Sequence, residues 1–425
     1  MLMWFLVTLF IPLLIGIPIA FSLLFSGSIL MWIQGLFSTD LVVVRIFGGV
    51  NSFTLLAIPF FVLAGEAMNK GGISSAIVDA VLVIFGRIRG ALGYVSILSS
   101  MIFAGLSGSA IADTAALGGI LIPMMRKDGY SRARSTGLVV CAAIIANIIP
   151  PSIGLILYGV ITGESITKLF LGGIVPGIII GFSLMTVWFF VAKHDNLKPH
   201  ISDCSHSENM KIIVRAIPAL ILPIFIVVGL RGGVFTATEA GSIASAYAII
   251  VGIFVYRKMR IRDLPGLFID AAKTTAKVMM IVACALVVSW IITASNLSAD
   301  LVSNFTFLVD HPMLLVLVCQ LLLLLFGMVM DITPILMILM PVLAPLLNSA
   351  GVDMTYFGIV SIINLTFGLI TPPVGNVLYV GMGISGAKMG ETLKGAAPFM
   401  AVEVILILLF TFVPQLIITP LSIIY

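Results

Sequence analysis

Long apolar runs, broken by short polar interruptions, fill the chain from end to end. Three of the clearest are Ile212 to Leu230, Ala240 to Tyr256 and Met313 to Val329. Each is long enough to cross a bilayer as a helix. Backbone groups in lipid must be satisfied within the protein, so these runs are expected to be helices. They are too continuous for the alternating pattern of a membrane barrel. The opening run, Met1 to about Gln34, has neither a basic start nor a small-residue cleavage site. It reads as a retained helix rather than a signal peptide.

The polar interruptions set the organisation. The longest, "KHDNLKPHISDCSHSENMK" at 193–211, divides the chain nearly in half, and a second basic cluster, "YRKMRIRD", spans 256–263. Two apolar runs and the short loop "RGGVFTATE" lie between them, which returns the chain to the same side. The positive-inside rule puts both basic segments in the cytoplasm and the short loop outside. Thr236 and Glu239 in that loop have the spacing of a capping box.

Composition agrees with this reading. Only 9% of the 425 residues are charged, against about 25% in a soluble domain, and mean hydropathy is +1.24. A net charge of +4 fits topology signals, not a nucleic-acid footprint. Cys141, Cys284 and Cys319 fall in apolar segments and Cys204 in a polar loop, with no Cys-x-x-Cys. His194, His200, His206 and His311 lie in or beside polar loops, at spacings that suit no common metal motif. No cofactor is expected.

The two halves resemble each other at a constant offset. Gly105 pairs with Gly327, Pro123 with Pro345, Gly129 with Gly351, Pro150–Pro151 with Pro372–Pro373, and Pro176 with Pro398, each 222 residues apart. Five sites in the same order read as a duplication, and such repeats with interrupted helices point to a secondary transporter. The expected division is a first repeat at 1–192, a cytoplasmic linker at 193–211 and a second repeat at 212–425. The fold class is an all-α polytopic membrane protein built from two inverted repeats.

Each repeat has two unusual elements. "FAGLSGSAIADTAALGGILIPMM" from Phe103 and "FGMVMDITPILMILMPVLAP" from Phe326 place polar turns between apolar arms, which suits re-entrant hairpins at about 101–125 and 323–347. "ANIIPPSIGLILYG" from Ala146 and "LITPPVGNVLYVG" from Leu369 carry consecutive prolines, which remove backbone donors. Helices broken at mid-membrane are expected over about 135–163 and 355–383. Non-helical backbone at that depth is tolerated only where it is buried in protein or lines a cavity. Freed carbonyls and Ser/Thr hydroxyls are hard oxygen ligands suited to sodium, and hairpin helix N-termini suit a carboxylate. Asp113 and Asp331 are costly at depth and are functional candidates, the alternative being that each caps a hairpin helix. Glu66, Glu164 and Glu403 carry no sharp reading.

With these motifs in place, the chain resembles the large membrane subunit of tripartite ATP-independent periplasmic (TRAP) transporters. The resemblance rests on "LLAIPFFVLAGEAMNKGG" at Leu55, "SGSAIADTAALGG" at Ser107, "IIPPSIGLILYG" at Ile148, "FTATEAG" at Phe235, "GMVMDITP" at Gly327 and "GLITPPVGNVLYVG" at Gly368. It implies about eleven transmembrane helices, two re-entrant hairpins, and an elevator-type fold in a bacterial inner membrane. It implies sodium-coupled uptake of an organic acid anion, of C4-dicarboxylate, keto-sugar acid or sialic acid type. The implied partners are a small four-helix membrane subunit on a separate chain, a periplasmic substrate-binding protein and membrane lipid. One implied sodium site is Ser107 and Ser109 with Asn147, Pro150 and Gly154. The other is Gly327, Asp331 and Thr333 with Thr371, Pro372 and Gly375. The implied substrate contacts are Ser107, Gly108, Asp113, Thr114, Ser152, Thr333 and Asn376. Two alternatives stay open: a stand-alone sodium/carboxylate symporter, and an intramembrane enzyme with Asp113 and Asp331 as an aspartyl pair. The chain contains none of the His-Glu-x-x-His, Gly-x-Ser-x-Gly or nucleotide-binding loop motifs.

Overall fold

The computed structural model describes residues 2–200, 206–295, 302, 303 and 305–425. Cys204 lies outside the described residues. The first half contains α1 (Leu2–Leu14), α2 (Ile19–Ile33), α3 (Thr39–Val50), α4 (Ala57–Lys70), α5 (Ile73–Phe85), α6 (Ala91–Ser107), α7 (Ala110–Lys127), α8 (Arg132–Ala143), α9 (Ile153–Thr162) and α10 (Ile166–His194). The second contains α11 (His206–Arg231), α12 (Ala237–Ile250), α13 (Leu264–Ala294), α14 (Pro312–Gly327), α15 (Ile332–Ser349), α16 (Met354–Gly368), α17 (Asn376–Ser385), α18 (Met389–Phe412) and α19 (Gln415–Ile424). Among the described residues there is no strand, only an isolated bridge between Arg89 and Pro199.

The protein is an all-α polytopic membrane protein. Six helices are long and apolar enough to cross a bilayer alone, and the pair α3–α4, bent by 60°, would make a seventh. The shorter apolar helices include half-helices of 10 residues such as α9 and α17. At 1.5 Å per residue such a piece covers about 15 Å, half the hydrocarbon thickness. One expectation changes. The opening run is two helices, because Gly16 takes φ +92° and Pro18 starts α2.

The duplication is visible in the helix limits. Helix α7 at 110–127 and α15 at 332–349 differ by 222 at both ends, and α8 and α16 differ by 222 at their starts. The cis Pro150–Pro151 and Pro372–Pro373 peptides keep the same offset. The hairpins are longer than the sequence indicates, with arms at 91–107 and 110–127, and at 312–327 and 332–349.

The repeats interlock. The return arm α7 packs on α17, the second half of the other repeat's broken helix, and α15 packs reciprocally on α9. Tyr158 of α9 lies over Gly358 of α16 and donates to the Met354 carbonyl at 2.7 Å. Outside this unit, α4 packs on α12 and α2 on α13. The start of the linker is tied to the first hairpin side: Arg134 Nε donates to Asp195 at 2.9 Å, and His200 pairs with Asp128 at 2.5 Å. Partial burial pushes the Asp195 carboxyl up, but the hydrogen bonds from Arg134 and His194 outweigh it and hold it below the usual range. On the opposite side, Thr236 and Glu239 form the expected capping box on α12.

Helices α8 and α18 meet at glycines. A Cβ on Gly395 would lie 2.0 Å from the Ala133 carbonyl oxygen, which is backbone and cannot swing aside. We expect Gly395→Ala to cost about 1–3 kcal/mol through overpacking, whereas Gly119→Ala, with nothing within 4 Å, should be neutral. Thermal unfolding of the two variants in one detergent checks the contrast. Equal melting temperatures would contradict it.

Candidate ion and substrate site

The first hairpin turns at Ser107-Gly108-Ser109. Gly108 takes φ +62°, and a Cβ there would stand 2.4 Å from the Pro151 carbonyl oxygen. Only glycine therefore lets the tip rest on the first Pro-Pro break. Ser109 is extended and caps α7, its hydroxyl accepting from the Ala112 N–H at 3.4 Å. The break itself follows from the sequence. Helix α8 tightens into a 3-10 turn at Ile144–Asn147, the two prolines supply no donors, and α9 restarts after Ser152. The Ser152 hydroxyl accepts from the Leu155 N–H at 3.3 Å and donates to the Asn147 carbonyl at 2.5 Å. The Asn147 Oδ1 accepts from the Ala110 N–H at 3.1 Å. Asn147 thus fastens the break to the hairpin tip.

The second repeat makes the same junction with backbone. Asp331 is extended and caps α15, its Oδ1 accepting from the Ile332 N–H at 2.8 Å. The Met328 carbonyl accepts from the N–H groups of Val374 and Gly375, at 3.1 and 3.2 Å, within the second break. Gly327 and Gly368 face each other closely enough that a Cβ on Gly368 would fall 2.6 Å from the Gly327 carbonyl carbon. By the 222-residue register Asp331 corresponds to Ser109, not to Asp113, and both are N-caps.

Both tips and the first break border one cleft of about 220 Å³. Six of the nominated residues line it: Gly108, Ser109, Asn147, Gly154, Asp331 and Thr333. The others lie outside its wall. Ser107 donates to Asp113 Oδ1 beneath the tip, where Asp113 is fully buried and its Oδ2 has no partner among the described residues. Thr114 donates to the Ala110 carbonyl at 2.8 Å, and Ser152 is spent on capping. Pro150, Gly327, Thr371, Pro372, Gly375 and Asn376 stand at the hairpin ends and breaks behind the cleft, with Thr371 donating to the Phe367 carbonyl at 2.8 Å. Asp113 therefore does not share the cleft with Asp331, and the two do not face each other there as an aspartyl pair would.

Thr274 and Val278 of α13 also line the cleft, and the sequence reading missed them. The available signal was "AAKTTAK", a polar stretch inside a long apolar helix. Among the described residues no group of three or more His, Cys, Asp or Glu could hold a metal ion. What the cleft offers is oxygen: the Ser109 hydroxyl, the Asn147 amide oxygen, the Asp331 carboxylate and the Thr333 hydroxyl. Helices α7, α9 and α15 all begin at its wall, and their N-terminal dipole ends favour an anion. The site can therefore serve a hard cation and a carboxylate side by side.

Known proteins are similar to this chain in sequence and in fold. Residues 6–416 match the family described as the tripartite ATP-independent periplasmic transporter, DctM component. The chain is 46% identical over 418 residues to a putative TRAP transporter large permease protein of Haemophilus influenzae, covering 98% of each chain. It is 47% identical over 408 residues to the 2,3-diketo-L-gulonate TRAP transporter large permease protein YiaN of Escherichia coli, covering 96% of each. In fold it is similar to the crystal structure of the Alcanivorax borkumensis YdaH transporter, with a TM-score of 0.63, 14% identity, and 90% of this chain and 89% of that one covered. Length, motifs, broken helices and relatives agree: the chain belongs to the TRAP transporter family as its DctM component, the large permease subunit.

Proposed function

We propose that the chain is the transmembrane path of a sodium-coupled importer for an organic acid anion. The observation that carries this reading is the convergence of Ser109, Asn147, Asp331 and Thr333 on one cleft where three helices start. Sodium would take the hydroxyl, amide and carboxylate oxygens around the hairpin caps. The substrate carboxylate would take the helix N-termini between the two tips. Residues Ser107, Asp113, Thr114 and Ser152 would act one layer behind, by holding the first tip and break in shape. Gly327, Thr371, Pro372, Gly375, Asn376 and Pro150 would do the same through backbone geometry.

We further propose an elevator motion, in which the interlocked hairpins and broken helices move as one body against the α2–α13 and α4–α12 pairs. The reciprocal packing of α7 on α17 and α15 on α9 supports a body of that kind. A separate small membrane subunit and a periplasmic substrate-binding protein would complete the system. The name of the Escherichia coli relative makes a keto-sugar acid the first substrate to test, beside C4-dicarboxylates and sialic acid. Uptake by the assembled complex in proteoliposomes, with and without a sodium gradient and the binding protein, tests the proposal. Uptake indifferent to sodium would overturn the coupling, and uptake by this chain alone would favour a stand-alone symporter.

Two variants sharpen the site. Asparagine caps a helix as well as aspartate does, so Asp331→Asn keeps the cap and removes the charge. We expect the sodium concentration for half-maximal uptake to rise several-fold at normal membrane insertion. A wild-type sodium curve would reduce Asp331 to a cap. Gly108→Ala places a Cβ against the Pro151 carbonyl in a left-handed turn. It should cut uptake at least about ten-fold, and normal transport would mean that the tip need not seat on the break.

A further inference from the structure

A second polar cavity, of about 290 Å³, lies away from the transport cleft. It is bounded by Gly72, Ser75 and Asp79, from the cap to the middle of α5, Arg215 of α11, and Tyr256 and Lys258 of the second basic segment. The positive-inside assignment puts this segment at the cytoplasmic face of the membrane. The Arg215 guanidinium lies 5.8 Å from the Tyr256 ring centroid, and the Tyr256 hydroxyl donates to the Arg215 carbonyl at 2.8 Å. These contacts hold the arginine in the wall. Among the described residues, none of Asp79, Arg215 and Lys258 makes an ion pair. Three charged groups of both signs thus line one pocket with no two of them in ion-pair contact.

We propose that this cavity binds the headgroup of a zwitterionic aminophospholipid from the cytoplasmic leaflet. The phosphate would sit on Arg215 and Lys258, where charge-assisted hydrogen bonds are strongest. The primary ammonium would sit on Asp79. A bare phosphate or an anionic glycerol headgroup satisfies the two cations but faces the Asp79 carboxylate unrelieved. A choline headgroup carries the positive charge but has no N–H to give Asp79. An ethanolamine headgroup matches all three residues. The position gives such a lipid a consequence. Gly71 and Gly72 join α4, which packs on α12, to α5, which leads into the first hairpin. A Cβ on Gly72 would come 2.8 Å from the Lys258 side chain, so, on the elevator reading proposed above, the headgroup would sit where the moving unit leaves its support.

The test uses the purified full-length chain in detergent, titrated with phosphatidylethanolamine, phosphatidylglycerol, phosphatidylcholine or inorganic phosphate while thermal unfolding is followed. Phosphatidylethanolamine should give the largest stabilisation, with an apparent affinity at least about five-fold above the other two lipids. Asp79→Asn should erase the preference for ethanolamine over glycerol, and Arg215→Gln or Lys258→Gln should weaken both. The proposal is overturned if the three lipids act alike, if phosphatidylglycerol exceeds phosphatidylethanolamine, or if inorganic phosphate alone gives the full shift. It is also overturned if Asp79→Asn keeps the wild-type ranking, or if Lys258→Gln keeps the wild-type affinities. Arg215→Gln is read beside these two so that a folding defect in one variant does not decide the outcome.

Discussion

A helix broken inside a bilayer must find partners for its freed backbone groups, and this structure is arranged around that requirement. The two Pro-Pro pairs interrupt the two long helices at equivalent places, and in each repeat a hairpin tip closes against the gap. In the first repeat the tie is a side chain, with Asn147 accepting from the Ala110 N–H. In the second it is backbone, with Met328 accepting from Val374 and Gly375. The glycines at 108 and 368 are needed because backbone meets backbone there with no room for a Cβ. The cleft is what remains between the two seated tips.

That constraint links fold to function. A break that is satisfied by a hairpin rather than by lipid or water leaves caps and helix starts facing a shared space. Ser109 and Asp331 sit at the same register position in the two repeats, one a hydroxyl and one a carboxylate. The duplication thus supplies two similar half-sites, and the difference between them gives the cleft one charged and one neutral wall. The interlocking of the repeats packs the hairpins and broken helices against one another as one unit around that cleft.

Much of this was legible in the residues. Apolar run length gave the helices, and five glycine and proline matches gave the duplication to the residue. The Thr236–Glu239 cap was readable because it depends on neighbours three apart. What was not legible depends on contacts across the chain. Asp113 and Asp331 look alike in sequence, yet one is buried under a tip on Ser107 and the other caps a helix at the cleft. Ser107 and Ser109, two residues apart, face different surroundings. Thr274 reaches the cleft from a helix outside the interrupted segments, marked in the sequence only by the polar stretch around it. The opening run gave way at Gly16 and Pro18 because a left-handed glycine beside a proline outweighs continuous apolarity.

The most direct test of the account is thiol accessibility at the cleft. Ile111 and Val278 line it without supplying an oxygen ligand, so a cysteine at either position, with Cys204 replaced, reports on occupancy. The account expects sodium and the transported acid together to slow labelling of both positions in the assembled complex, and potassium to leave it unchanged. Labelling that ignores sodium and substrate at both positions would show that this cleft is not where ion and anion bind.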